Sequence, residues 1–402
     1  MKGQSMNIIN EKNDLFTKKL AVAPLKLLVM PNIKALGDKV DEYLVSFRKE
    51  RFPDGIDDPE HQGYVADSYE MAFSLPRFGS GEGKAVLEES IRGKDLYILT
   101  DVINYSMTYQ MNGFRNRYSP DDHYQDLKRV IAAVAGKAHR ISVVMPFMYE
   151  SRQHKRSARE SLDCAMMIEE LSDMGVSDLM TFDAHDPSVQ AAAPLCGFDN
   201  FTPFYQFLRA LLQGEDDLMI DADHVVVISP DEGALNRAIY FATVLGVDTG
   251  MFYKRRDYAH IVDGKNPIVA HEFLGDSVEG KDVIIVDDMI STGGSMLDTA
   301  RQLKNMKANR VFICCTFGLF TDGLDLFDDA YEEGVFDRII TTNLHYRRPE
   351  LLTRDWYIEA DMSKLIAQII DFSNHDMSMD KVGTPTEKIR EILASYNERI
   401  DI

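Results

Sequence analysis

The chemistry of this chain concentrates in Asp287-Asp288-Met289-Ile290-Ser291-Thr292-Gly293-Gly294-Ser295. Two adjacent carboxylates can accept hydrogen bonds from vicinal hydroxyls. The small hydroxyl and glycine residues that follow can bend tightly and turn backbone N–H groups toward an anion. The β-branched run Val283-Ile284-Ile285-Val286 precedes them, and helical spacing over 296–306 follows. The stretch therefore reads as a buried strand, an acidic pair, a loop and a helix N-terminus, which together make a cradle for a sugar phosphate.

Positive charge gathers in two other places. Arg152-Gln153-His154-Lys155-Arg156-Ser157-Ala158-Arg159 holds four Arg or Lys residues within eight positions. Lys254-Arg255-Arg256 is the second cluster. Each stands beyond a short apolar run, Ile141 to Met145 and Thr249 to Tyr253, and the loops at the C-terminal ends of parallel strands are where open α/β sheets bind ligands. Asp183-Ala184-His185-Asp186 follows Leu179 to Phe182, and Ser229-Pro230-Asp231-Glu232-Gly233 follows Val225 to Ile228. A histidine flanked by acids at a strand end suits a metal or phosphate contact. By contrast, Phe78-Gly79-Ser80-Gly81-Glu82-Gly83-Lys84 has GxGxG spacing and by itself reads as a turn. Gly275 to Lys281 satisfies GxxxxGK, but Asp282 stands where a P-loop needs a hydroxyl, and the segment precedes a strand, so it also reads as a turn.

The elements that must position these groups alternate along the chain. Strand-like runs at Leu25 to Met30, Leu96 to Leu99, Ile141 to Met145 and Leu179 to Phe182 are interleaved with helical spacing at 34–51, 127–136 and 162–174. The stretches 52–66 and 100–124 are polar, the first reading as a surface insertion and the second as a delay before the next helix. The segment 200–214 reads as a helix. After an acidic stretch at 215–223, a second series runs through Val225 to Ile228, a helix carrying Arg237 and Ala238, the cradle strand, Val311 to Phe317, Ile339 to Asn343 and a helix over 364–370. The expected fold is α/β, with two similar doubly wound parallel-sheet domains. The expected boundaries are an N-terminal extension at 1–24, an N-terminal domain at 25–214, a C-terminal domain at 215–375 and a helical tail at 376–402. Thr384-Pro385-Thr386-Glu387 opens the last helix with a capping box.

Composition narrows the function classes. A formal net charge of −21 argues against nucleic-acid binding, because phosphate backbones would be repelled. No apolar run approaches the roughly 20 residues of a membrane span, and the first 20 positions lack a signal-type apolar core, so a cytoplasmic location is expected. Cys164, Cys196, Cys314 and Cys315 have no metal-ligand spacing, and the last two read as core residues.

Taken together, these segments resemble ribose-phosphate diphosphokinase, the phosphoribosyl diphosphate (PRPP) synthetase family, over about 25–370. The cradle resembles the PRPP-binding motif shared with phosphoribosyltransferases. Phe78 and Glu82 match the family's Phe-Ser-Asp-Gly-Glu segment, Arg152-Gln153 its ATP loop, and Asp183 with His185 its Asp-Leu-His segment. Ser229-Pro230-Asp231 and Lys254-Arg255-Arg256 match two further motifs. Ser80 and Ser291 depart from the family's aspartates, Ala234 stands where a second glycine is usual, and the ATP loop is one residue shorter.

The resemblance implies transfer of the β,γ-diphosphoryl group of ATP to the 1-hydroxyl of ribose 5-phosphate, with AMP released. It implies that Lys254 and Arg256 are catalytic cations and that Phe78, Glu82, Arg152, Gln153 and His185 bind ATP. Phe78 would stack on adenine in the site of a neighbouring subunit. Asp287, Asp288, Ser291, Thr292, Gly293, Gly294 and Ser295 would bind ribose 5-phosphate, and His185 with Asp231 would place magnesium. A homo-oligomer, dimer or hexamer, is expected, with no nucleic-acid or membrane partner. Two alternatives share the motifs: a catalytically silent regulatory subunit of a PRPP synthetase, and a phosphoribosyltransferase that consumes PRPP.

Overall fold

A computed structural model describes residues 21–53, 63–215, 217–256, 268–383 and 386–400. Residues 1–20 of the extension expected at 1–24, most of the 52–66 insertion and the Thr384-Pro385 end of the capping box lie outside the described residues. The chain divides into two units.

The first unit is built on a parallel sheet of β1 (Leu25–Val29), β4 (Asp95–Leu99), β7 (Arg140–Val144), β8 (Asp178–Phe182) and β9 (Gly197–Phe201), in that spatial order. Tyr69–Met71 adds to the outer side of β1, since Leu27 N donates to Tyr69 O and Met71 N to Leu27 O. The chain thus runs from β1 outward to one side, then returns to lay β4 on the other, which is the reversal of a doubly wound sheet. Every residue of β4 is buried, as expected of a strand covered on both faces. Helix α1 (Lys34–Arg51) follows β1, α2 (Pro120–Val134) precedes β7, and α3 (Asp163–Asp173) joins β7 to β8.

Two expectations for this unit are corrected. The 100–124 stretch, read as a delay before the next helix, contains an antiparallel hairpin, β5 (Thr108–Met111) and β6 (Phe114–Arg117). Helix α2 starts at Pro120 rather than near 127: Ser119 and Asp122 form a reciprocal capping box with Pro120 in the first turn. A smaller pair, β2 (Phe73–Ser74) and β3 (Val86–Leu87), brackets the Phe78 loop.

The second unit has a seven-stranded sheet. Its members are β10 (Val225–Ser229), β11 (Asp248–Arg256), β12 (Ile268–Leu274), β13 (Asp282–Ile290), β14 (Val311–Gly318), β15 (Arg338–Thr342) and β16 (Tyr357–Ala360). The order is β12-β11-β10-β13-β14-β15-β16, parallel except for β12 against β11. Helices α4 (Phe204–Gly214) and α5 (Leu235–Leu245) pack with Ile284, Val286, Phe312 and Cys314 on one face. Helices α6 (Gly294–Asn305) and α7 (Asp325–Glu332) pack with Val283, Ile285 and Ile313 on the other. Cys314 and Cys315 are fully buried free thiols. The helix expected over 200–214 begins at Phe204, because the residues before Thr202 form β9. The Gly275–Lys281 decoy is the turn between β12 and β13.

The units do not follow chain order. Helix α8 (Ser363–Asn374) and the four-residue α9 (Asp380–Gly383) return to the first unit, while α4 and the last helix, α10 (Thr386–Ile400), belong to the second. The contacts thus group α4 with the second unit and α8 with the first. The cause is a buried charge network. Arg48 and Arg51 of α1 both ion-pair with Asp371 of α8, and Arg48 Nη2 donates to Asn374 Oδ1 at 2.6 Å. In the second unit, Ile389, Leu393 and Tyr396 of α10 join the α4/α5 core, and Tyr396 Oη donates to Glu215 O at 2.8 Å.

Candidate active site

Strand order sets where ligands can bind. In the second unit the chain passes from β10 through α5 to β11 on one side and later places β13 on the other. The crevice beyond the C-terminal ends of β10 and β13 is therefore a topological switch point. Asp231 follows β10, and Asp287-Asp288 lie near the end of β13. Arg237, in the first turn of α5, brings Nη2 to 4.0 Å from Asp288 Oδ2.

The acidic pair is tightly built. Asp288 is buried, and its N–H donates to Asp287 Oδ1 at 2.8 Å. Burial, then the neighbouring Asp288 charge and the more distant Asp231, push the Asp287 carboxyl well above the usual carboxylate range. Such a site favours an incoming hydroxyl or cation over further negative charge.

The loop after β13 is shaped by packing from beneath. Gly293 caps α6 with φ +90°, and a Cβ there would stand 2.1 Å from Phe327 Cζ. Only glycine fits on both counts. Phe327 is fixed by Phe320, edge-on at 4.8 Å, and by Trp356 at 6.0 Å, whose Nε1 donates to Asp328 Oδ1 at 2.8 Å. No side chain caps α6, so its first N–H groups face outward over a helix of 12 residues. Ser291 contributes its carbonyl to Thr321 N at 3.0 Å, which ties the loop to the chain beyond β14.

In the first unit, the loops after the adjacent strands β7 and β8 meet. The rings of His154 and His185 lie 5.3 Å apart, and His154 Nε2 is 3.4 Å from Asp186 Oδ2. Arg152, Lys155, Arg156 and Arg159 are exposed. Gln153 closes the loop on itself, donating from Nε2 to Ser161 O at 2.8 Å. Asp183 is buried with φ +44°, and its N–H donates to Phe201 O at 2.8 Å, so the turn presents His185 to solvent.

Phe78 and Glu82 sit on a tight loop. Phe78 N donates to Glu82 O at 2.8 Å, Gly81 N to Phe78 O at 2.9 Å, and Ser80 Oγ to Glu82 Oε2 at 2.7 Å. The Phe78 ring is 54% exposed, unusual for a large apolar side chain and suited to stacking. The backbone of Lys254 and Arg256 lies in β11, paired with β12 opposite His271 and Ile268. Their side chains are outside the described residues.

Sequence comparison supplies the family. Residues 25–175 match the model for the N-terminal domain of ribose phosphate pyrophosphokinase, and 199–343 match the phosphoribosyl transferase domain. A ribose-phosphate pyrophosphokinase of Shewanella oneidensis is 30% identical over 298 residues, 73% of this chain and 85% of that protein. The chain belongs to the ribose-phosphate pyrophosphokinase family.

Its counterpart from Vibrio parahaemolyticus is 29% identical over 78% of this chain and 92% of that protein. The crystal structure of phosphoribosylpyrophosphate synthetase from Mycobacterium smegmatis has the same fold. It covers 88% of this chain and 99% of its own, with TM-score 0.67 and 21% identity. Within the family pattern, Phe78, Glu82, Arg152 and Gln153 fall in the first matched segment. Asp231, Lys254, Arg256 and the cradle fall in the second. Asp183 and His185 lie between the two.

Three features were not assigned a site role from sequence. Arg237 stands six residues beyond Asp231, and its place at the start of a helix after a strand-end acid was an available signal. His154 was visible only as part of a basic run. Phe327 under Gly293 had no local signal, since the two are 34 positions apart.

Proposed function

We propose that this chain makes 5-phosphoribosyl 1-diphosphate, moving the diphosphoryl group of ATP to the 1-hydroxyl of ribose 5-phosphate and releasing AMP. The observation that carries this reading is the cradle on a chain of this family: Asp287 and Asp288 beside the Gly293 turn and the uncapped N-terminus of α6. Asp287 and Asp288 accept hydrogen bonds from the 2- and 3-hydroxyls of ribose. The amides of Ser291 to Ser295, with the hydroxyls of Thr292 and Ser295, take the 5-phosphate. The 1-hydroxyl is left unengaged.

Arg152 and Gln153 hold the nucleotide, and Phe78 and Glu82 receive its base in the site of a neighbouring copy in a homo-oligomer. Lys254 and Arg256 neutralise charge on the transferring group. The acceleration comes from holding the reacting oxygen in line with the β-phosphorus and from fixed cations. The oxygen-rich set in the second unit, with Asp287 raised by burial and then by its acidic neighbours, suits a hard divalent cation. Among the described residues no three His, Cys, Asp or Glu side chains converge as a ready-made cage. Magnesium binds through few protein ligands together with substrate phosphates. His185 and Asp231 are the groups that would hold it, and it would supply charge neutralisation at phosphate oxygens. No helix among the described residues is long and apolar enough to cross a membrane.

The test is direct: purified protein with ATP, magnesium and ribose 5-phosphate, with AMP and PRPP followed together. Equimolar appearance of both is expected. Consumption of PRPP with a nucleobase, in place of its formation, would select a phosphoribosyltransferase. No turnover of either kind, with altered activity of an added synthetase, would select a silent subunit.

A further inference from the structure

The β5–β6 hairpin is docked on the Phe78 loop. Its two-residue turn, Asn112-Gly113, has both φ angles positive, +51° and +82°, the geometry that matches strand twist in a tight hairpin. From that tip, Asn112 N donates to Gly79 O at 2.8 Å. The preceding Met111 lays its side chain over Gly81, with Sδ 2.6 Å from where a Cβ would be. Gly81 has φ +94°, so the loop's tightest point is also the one the hairpin covers.

A second tie lies at the root of the loop. The Arg77 guanidinium sits over the rings of Tyr109 and Tyr118, at 4.8 and 4.9 Å, one from each end of the hairpin segment. Arg77 Nη1 donates to Gly81 O at 3.2 Å, and Nη2 to Asp126 Oδ2 of α2 at 2.8 Å. The loop belongs to neither large sheet, and the β2–β3 pair beside it is two residues long. So short a pair contributes little independent stability. The hairpin thus supplies the contacts that hold the loop in its conformation.

We propose that the β5–β6 hairpin is the positioning element of the nucleotide-base subsite: through Met111 and Asn112 it holds Phe78 ready to stack, so ATP binding depends on the hairpin and ribose 5-phosphate binding does not. The inference rests on the reading of Phe78 as the base contact. Holding the loop before the nucleotide arrives removes its ordering cost from the binding step.

Three variants test it by steady-state kinetics in each substrate: Phe78→Ala, Met111→Ala, and a chain with 108–117 replaced by Gly-Ser-Gly. The expected result is at least a tenfold rise in KM for ATP in each. For Met111→Ala and the Gly-Ser-Gly chain, KM for ribose 5-phosphate and kcat at saturating ATP should stay within twofold of the starting protein. The double variant Phe78→Ala with Met111→Ala should be no worse than Phe78→Ala alone, because the methionine acts through the phenylalanine. If Phe78→Ala raises KM for ATP while Met111→Ala leaves it unchanged, the hairpin role is overturned and the base reading stands. If Phe78→Ala changes nothing, the base reading falls and takes the hairpin role with it. Equal rises in both KM values would mean general destabilisation and would also overturn the proposal. Met111→Ala alone decides the matter where the excised chain does not fold.

Discussion

Gly293 lies against the ring tip of Phe327, so close that a single methyl group would stand 2.1 Å from the ring's Cζ. The turn proposed to hold phosphate is thus cast against Phe327 of α7, itself packed on Phe320 and Trp356, and its shape depends on a residue far away in sequence.

Gly293→Ala should disturb the cradle without unfolding the sheet. The positive φ costs an L-residue about 1–2 kcal/mol, and displacement of Phe327 adds to it. KM for ribose 5-phosphate is expected to rise at least tenfold while KM for ATP moves little. Trp356 is the sole tryptophan and lies 6.0 Å from the Phe327 ring, so its emission should shift in the variant. An unshifted spectrum with normal kinetics would contradict the packing argument.

Asp287, proposed to hold a ribose hydroxyl, is a carboxyl held against its own stability. Its raised pKa means the folded state keeps the proton to higher pH than the unfolded chain does, so stability is lost as pH rises from the ordinary carboxylate range to the raised value. Asp287→Asn keeps a side-chain oxygen for the Asp288 N–H and removes the repulsion. Melting temperature above pH 6 should increase, while kcat/KM for ribose 5-phosphate falls at least ~100-fold, about 2.7 kcal/mol. Thermal scans of both proteins across pH, beside the kinetics, check the two halves independently.

His375 predicts an acid-sensitive first unit. Burial dominates and lowers its pKa to about 4, against 6.5 for a free imidazole. Its Nδ1 donates to Asp371 O at 2.6 Å, and its Nε2 accepts from Tyr64 Oη at 3.0 Å, an arrangement of the neutral ring. The unfolded chain therefore binds a proton that the folded one refuses, and stability falls as pH drops from about 6.5 to about 4. The full loss is about 3 kcal/mol. Asp371, lowered despite its burial by Arg51 and Arg48, adds a loss only below the ordinary carboxylate range. Calorimetry at pH 4.5, 5.5 and 6.5 should show this slope, and His375→Gln should flatten it.

Lys254→Ala addresses the chemical step. If Lys254 neutralises charge that develops on the transferring group, kcat should fall at least ~100-fold with little change in ATP binding. Near-normal turnover would remove the residue from that role.

Much of the molecule was legible from residue order alone, and the legible parts are local. A parallel strand covered on both faces announces itself as a continuous β-branched run, so Val283 to Val286 located β13 and, with it, the acidic pair at its end. Asp287-Asp288 and the Ser-Thr-Gly-Gly-Ser loop belong to one continuous segment, whose strand, turn and helix follow from φ/ψ limits and backbone hydrogen bonding. The alternation of strands and helices likewise implied parallel sheets, because a parallel connection needs a crossover.

Tertiary structure decided what depends on groups distant along the chain. The return of α8 to the first unit rests on Arg48 and Arg51 meeting Asp371, more than 300 positions on, and neither partner's neighbourhood predicts the other. The Phe78 loop reads as an ordinary glycine turn until Asn112 is seen bonded to Gly79. The hairpin that carries Asn112 was hidden in a polar stretch, whose outward faces lack the apolar alternation that marks a half-buried strand. Residue order states which groups a segment offers, whereas packing between segments decides which are held still, and holding them still is most of what this chemistry requires.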